Sequence, residues 1–145
     1  MKAPPPGWPR LTATVFYRDP HAAIDWICRA FGFDVRLKVE ADDGKIAYSE
    51  LVFGDAMISV GGLDGDRDYQ KLFRSPLDTG GGVTQALALY VEDVDAHHER
   101  AVAAGATIFR ALKTEDYGGD YWADRSYGAV DLEGHLWFFS QRMRG

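Results

Sequence analysis

The sequence predicts an α+β chain in which one βαβββ module is written twice, and three observations carry that prediction. Two segments, TATVFYRDPHAAIDWICRAFGF and QALALYVEDVDAHHERAVAAGA, run through the same order of apolar strand, aspartate, helical stretch and glycine. Each is followed by a strand, a tight turn and a strand, first in KIAYSELVFGDAMISVG and then in DRSYGAVDLEGHLWFFSQ. A single copy leaves one face of its sheet uncovered, so the two copies are expected to pack together.

Each element has a local cause. Asp19 and Asp93 stand where a carboxylate accepts the free amide hydrogens of a first helical turn, and Pro20 suits the first helical position. Gly32 and Gly105 are placed to end the two helices in the left-handed cap conformation. Gly54 and Gly134 mark the turns of the two hairpins. The stretch LDGDRDYQKLFRSPLDTGGG, charged and then glycine-rich, reads as a linker, and TEDYGGDYWAD reads as a loop of the second copy. The expected organisation is a single domain over residues 1–145, with a first module at about 8–62, a linker at about 63–83 and a second module at about 84–141.

Composition narrows the function classes. At 145 residues and 16.1 kDa, one domain is expected. Such a domain buries roughly 70% of the surface its unfolded chain exposes. A net charge of −6 with dispersed Lys and Arg argues against nucleic acid, whose binding depends on clustered cations. No apolar run is long enough to cross a bilayer, so no membrane partner is expected. Lys2 leads into Ala3-Pro4-Pro5-Pro6-Gly7 and not into a secretory apolar stretch, and Cys28 has no partner for an intrachain disulfide. A cytoplasmic location is the expectation.

The repeated pattern resembles the vicinal oxygen chelate superfamily, which includes glyoxalase I, extradiol dioxygenases, fosfomycin-resistance enzymes and bleomycin-resistance proteins. The resemblance runs from about Trp8 to Gln141 and is carried best by YVEDVDAHHERAVAAGA with SYGAVDLEGHLWFFSQ. VFYRDPHAAIDWICRAFGF and SELVFGDAMISVG are similar to the glyoxalase-like branch often labelled PhnB-like. The resemblance implies paired modules forming an open curved mixed sheet, a ligand on its concave side, and a homodimer.

It also implies where a metal would sit, since the superfamily's metal enzymes carry His, Gln or Glu on the first and last strands of each module. The aligned positions here are Thr12, Ile58, Ala86 and Phe138. Side chains such as Ile and Phe offer no lone pair to a cation. A shift by one residue exposes Gln85 together with Leu11, Met57 and Trp137, which is still one donor. No metal and no cofactor are therefore expected. His97 and His98 point about 100° apart on a helix and cannot face one ion, and alignment with Ala23 and Ile24 sends His98 toward the sheet and His97 toward solvent. His135 is explained by its turn and His21 by an exposed first helical turn. No Walker loop or dinucleotide fingerprint occurs, and Gly80-Gly81-Gly82 lacks the helix that either requires.

Strand alternation drafts the concave face. It takes Thr12, Thr14 and Phe16 with Ala86, Ala88 and Tyr90 from the first strands, and Tyr48, Glu50, Ile58, Tyr127 and Phe138 from the later ones. Tyr121 and Trp122 are candidates to close its mouth, hinged at Gly118 and Gly119. The same aromatics also suit plain core. Glu50 is the candidate general base, with an ion pair to Arg10 or Arg125 as its structural alternative.

Three functions follow as expectations. The first is a protein that binds a small organic ligand in this lining without metal chemistry, as the bleomycin-resistance proteins do. The second is a metal-dependent lyase, isomerase or dioxygenase of the glyoxalase type. The third is metal-independent proton transfer by Glu50, with Tyr48, Tyr127 or Thr14 holding the oxyanion.

Overall fold

The computed structural model describes residues Met1–Gly145. They fall into two compact units: unit 1 holds Met1–Cys28 and Gly32–Ser75, and unit 2 holds Arg29–Phe31 and Pro76–Gly145. The expected linker is thus divided, its first part with a 3-10 turn at Asp68–Leu72 joining unit 1 and its second part with a turn at Pro76–Asp78 joining unit 2.

β1 (Ala13–Phe16), α1 (Pro20–Phe31), β2 (Asp34–Glu40), β3 (Ile46–Phe53) and β4 (Ala56–Gly61) make the first βαβββ module, all of it in unit 1 except the end of α1, Arg29–Phe31. The sheet order is β1-β4-β3-β2, with β1 parallel to β4 and the other pairs antiparallel. α1 starts where Asp19 accepts the Ala22 amide at 3.0 Å and stops at Gly32, whose φ of 80° closes an amide bond to the Cys28 carbonyl. Ala23, Ile24 and Ile27 recur at helical spacing, and with Val15, Leu51 and Val60 none is more than 2% exposed. Burying each large aliphatic of that set is worth roughly 1.5–3 kcal/mol. Ser49 is buried among them because its hydroxyl takes both main-chain groups of Val60, donating to the carbonyl at 2.7 Å and accepting the amide at 2.9 Å. The β3 to β4 register runs only from Leu51↔Ile58 to Phe53↔Ala56, so the serine replaces ladder bonds that the splaying strands lose.

Unit 2 repeats the design with β5 (Ala86–Tyr90), α2 (Val94–Ala103), β6 (Thr107–Asp116), β7 (Ala123–Val130) and β8 (Leu136–Arg144), ordered β5-β8-β7-β6. Asp93 caps α2 through the Ala96 amide at 3.1 Å, matching Asp19. Gly105, with φ of 93°, follows the cap and directs its amide to Val102. Two expectations change here. Much of TEDYGGDYWAD is strand and not loop, because Thr114, Glu115 and Asp116 pair with Arg125, Asp124 and Ala123 and leave only 117–122 as the connection.

The second change concerns the histidine pair, where His97 is the more firmly packed residue. Its Nε2 lies 2.8 Å from the Phe31 carbonyl, and a carbonyl only accepts, so Nε2 carries the proton and Nδ1 accepts from the Tyr127 hydroxyl at 2.6 Å. His97 also stacks near Phe31 and Phe139, with ring centroids 6.2 and 4.3 Å away. His98 meets the Tyr127 ring edge-on at 4.9 Å, as its alignment with Ile24 predicts.

The β7 to β8 turn is organised by Asp131. One carboxylate oxygen accepts the amides of Glu133, Gly134 and His135 at 3.0–3.1 Å, and the other accepts the Trp137 indole N–H at 3.1 Å. This accounts for His135 as a turn residue, 8% exposed.

Candidate functional site

Register decides which side chains share the face of the unit 1 sheet opposite its buried core. Thr14 pairs with Ser59 and Phe16 with Gly61, while Ile58 pairs with Ala13 and Leu51. Thr14, Phe16 and Ser59 therefore point together and Ile58 points away. Above this face lies a cleft of about 850 Å³, within the range of small-molecule sites. Thr14, Phe16, Tyr48 and Ser59 line it from the sheet. Arg18 and His21 contribute from the start of α1, Asp43 and Lys45 from the β2 to β3 turn, and Arg67, Tyr69 and Phe73 from the segment after β4.

The cleft is aromatic at one wall and ionic at its rim. Phe73 lies on Phe16 with ring centroids 3.7 Å apart. Around the rim, Lys45 Nζ approaches Asp64 at 3.4 Å, Arg67 donates to the Tyr69 hydroxyl at 2.7 Å, and His21 Nε2 donates to the Gly44 carbonyl at 2.7 Å. The Tyr48 hydroxyl donates to Glu50 at 3.2 Å. Desolvation, and then that carboxylate, raise the Tyr48 pKa above the ordinary phenol value, so Tyr48 enters any neutral-pH chemistry as a hydrogen-bonding phenol.

Several expected site residues fall elsewhere. Thr12 is exposed before β1 begins and does not line the cleft. Ile58 is on the opposite face, 5% exposed. The cause is turn length: counting from the turn glycine reaches the outer face in unit 2, where the connection is Asp131–His135, but stops one residue short, at Ile58 and not Ser59, in unit 1, where it is only Gly54–Asp55. Tyr127 does not take its expected place on the concave face, because it pairs with Phe139 and is fully buried against His97, leaving Ser126 and Gly128 on the outer face. Burial alone raises its pKa.

Glu50 does not line the cleft. Its carboxylate is 3% exposed and paired with Arg36 Nε at 3.3 Å, which makes Arg36, on the bulged edge strand β2, its ionic partner. The partners expected from sequence are engaged otherwise: Arg125 binds Asp95 at 2.9 Å and Arg10 donates to the Lys2 carbonyl. Glu50 fixes Tyr48 and Arg36 more than it reaches a ligand.

In unit 2, Ala88 pairs with Phe138 and Tyr90 with Ser140, so Ala88, Tyr90 and Phe138 do share one face. A ring covers part of that face. The Phe109 ring meets Phe138 edge-on at 5.3 Å, and a Cβ at Gly128 would stand 2.5 Å from the same ring. Trp122 and Tyr90 are joined by the Arg142 guanidinium, 5.2 Å from each ring centroid and bonded to Asp124 at 2.6 Å. They form a cation-π cluster in unit 2, and neither lines the unit 1 cleft.

The residues do not fit the metal that the fold implies. No three His, Cys, Asp or Glu side chains gather to hold an ion, and in the observed register the outer-face residues of β4 are Met57 and Ser59.

Comparison with known proteins decides the family. The model for the Glyoxalase/Bleomycin resistance protein/Dioxygenase superfamily matches residues 11–139. The chain belongs to this superfamily. Among this member's relatives, the uncharacterized protein Rv0887c of Mycobacterium tuberculosis H37Rv is 33% identical over 138 residues, covering 94% of this chain and 76% of that protein. TioX from Micromonospora sp. ML1 is 33% identical in sequence with a TM-score of 0.69, over 92% of this chain and 98% of that one. A glyoxalase/bleomycin resistance protein from Streptomyces sp. CB03234 shares the fold at 19% identity and a TM-score of 0.64, over 90% and 97% of the two chains. As a superfamily member the chain carries two mixed four-stranded sheets and two helices, and none of its helices is long and apolar enough to cross a membrane.

Sequence reasoning missed Ser59, Tyr69 and Phe73. The last two lie in the segment that reads as a linker, although their spacing in DYQKLF puts two aromatics one helical turn apart. Ser59 is hidden by the unequal turns, which put the count from the turn glycine one residue short of it.

Proposed function

We propose that this superfamily member binds a small organic molecule in the unit 1 cleft and holds it without a catalytic metal. The observation that carries the reading is the cleft itself, about 850 Å³ over a floor of Thr14, Phe16, Tyr48 and Ser59. Small hydroxyls on the floor leave volume and hydrogen-bonding groups, and the aromatic wall supplies area at low entropic cost. The same reading takes the working form as a cytoplasmic homodimer, by resemblance to the bleomycin-resistance proteins.

Two measurements on protein purified without chelator test it together. Elemental analysis is expected to give well under one Ni, Zn, Fe or Mn per chain. A thermal-shift screen of small aromatic and amphipathic compounds is expected to find stabilisers whose effect Phe16→Ala removes. A ligand at a hundred times its Kd adds about 2.7 kcal/mol of stability. Stoichiometric metal with turnover of a methylglyoxal hemithioacetal would refute the proposal and favour the glyoxalase chemistry.

A further inference from the structure

The unit 1 cleft contains two aromatic rings that its sheet does not supply, Tyr69 and Phe73, and one of them lies on the sheet's own Phe16. Phe73 arrives from the segment after β4, and its plane is 18° from parallel to Phe16 at a centroid distance of 3.7 Å. So direct a face-to-face overlap is not what two phenyl rings prefer, since their negative faces repel and an offset or edge-on pair is better. Tyr69 supports Phe73 edge-on at 5.9 Å. Both rings of the stack line the cleft.

The segment bearing Phe73 is bonded mainly to itself. From Asp64 to Arg74 no residue is buried. Within it, Arg67 N donates to Gln70 Oε1 at 2.8 Å, Arg67 Nη1 to the Tyr69 hydroxyl at 2.7 Å, and Arg74 Nη1 to the Phe73 carbonyl at 2.7 Å. Gln70 folds over Gly65 so closely that a Cβ there would lie 1.8 Å from it. All these contacts would travel with the segment if it moved. Its ion pair to the β2 to β3 turn, Asp64 with Lys45, has side chains 72% and 59% exposed and so holds weakly. Gly61 and Gly62 precede the segment and the buried Ser75 follows it, which gives the motion a pivot and a fixed end.

We propose that Phe73 is a displaceable plug, occupying on Phe16 the place that a planar, fused-ring aromatic group of the ligand takes, while the segment Asp64–Arg74 swings aside. The proposal rests on the cleft being a ligand site. It names the ligand class as flat ring systems with polar substituents directed to Thr14, Ser59 and Tyr48. A plug of this kind lowers apparent affinity by the fraction of molecules in which it is out, so removing it should tighten binding.

Two arms test this on the full chain. Amide hydrogen exchange of the wild-type protein, without ligand, should show residues 64–74 opening far more readily than the amides of β3 and β4. Exchange of that segment only through global unfolding would overturn the plug, whatever binds. In the second arm proflavine, a planar three-ring probe, is titrated by fluorescence anisotropy. Phe73→Ala is expected to bind it about 5- to 20-fold tighter than wild type, Phe73→Trp more weakly, and Phe16→Ala to lose binding. Binding to wild type with no gain in Phe73→Ala makes Phe73 a fixed wall and overturns the plug while leaving the cleft a ligand site. Absence of binding to every variant overturns both the ring-site proposal and the reading of the cleft beneath it.

Discussion

The two modules share a frame and differ on their outer faces. At corresponding positions of the frame, unit 1 places Thr14 beside Ser59 where unit 2 places Ala88 beside Phe138. One pair leaves a cleft. The other is crossed by a ring, Phe109 lying against Phe138 and over Gly128. Likewise Phe16 beside Gly61 is stacked by Phe73, whereas Tyr90 beside Ser140 is drawn to Arg142 and Asp124. The helix-facing residues are under a common demand to pack, so the copies agree there. The outward residues are free to diverge, small and hydroxyl-bearing around a cleft in one module and ring-bearing in the other.

The largest expected effect breaks the frame in unit 2 alone. Asp131→Ala strands three turn amides and the Trp137 indole in a buried setting, and each lost charge-assisted bond there is worth about 1.5–3 kcal/mol. A total loss of roughly 3–5 kcal/mol is expected by urea unfolding, since the bonds are not additive. Unit 1 turns with Gly54 and an exposed Asp55 and has no such hub. Asp55→Ala should change stability by less than about 0.5 kcal/mol. Equal losses would mean that the hub does not hold the second hairpin.

The cleft itself is the next point of contrast. Ser59→Phe gives unit 1 the ring that unit 2 carries at Phe138, and should fill the floor beside Thr14. Binding of any cleft ligand should weaken about ten- to a hundredfold, equivalent to roughly 1.4–2.8 kcal/mol. Far-UV circular dichroism should be unchanged, since residue 59 faces away from the core. Unaltered binding would move the ligand site out of this cleft.

A third contrast lies under the helices. Ala23 in unit 1 and His97 in unit 2 occupy matching positions, and only the second titrates. Burial, partly opposed by the bond to the Phe31 carbonyl, holds the His97 pKa below the ordinary imidazole value. The unfolded chain therefore takes up the proton first. Stability tied to His97 is complete above about pH 6.5, declines as pH falls through that value, and levels only below the depressed folded pKa. Chemical denaturation at a series of pH values should show this decline, reduced in His97→Gln. A slope that is the same in wild type and variant would assign it to other groups.

The frame was legible because its causes are local. Asp caps, terminal glycines and strand alternation each act within a few residues, and each is where the sequence places it. The outer face was legible only in part, since it depends on register between strands far apart in the chain. Thr14, Phe16 and Tyr48 line the cleft, but Ile58 and Tyr127 turn to the opposite face through displacements of one residue. Partners set by three-dimensional proximity were not legible at all: no local pattern gives Arg36 to Glu50 or His97 to Tyr127.

The smallest effect asks whether the frame is as equivalent as its geometry. Asp19 and Asp93 accept the amide three residues on at 3.0 and 3.1 Å, so Asp19→Ala and Asp93→Ala should each cost about 1 kcal/mol. The contexts differ in one respect: Pro20 already fixes the first helical φ in unit 1, whereas Val94 in unit 2 relies on its amide being held by Gln141 at 3.0 Å. Asp93→Ala is therefore expected to cost slightly more, and Gln141→Ala to raise that cost further in a double-mutant cycle. Identical losses, with no coupling to Gln141, would show that the cap acts alone and that the proline contributes nothing to the start of α1.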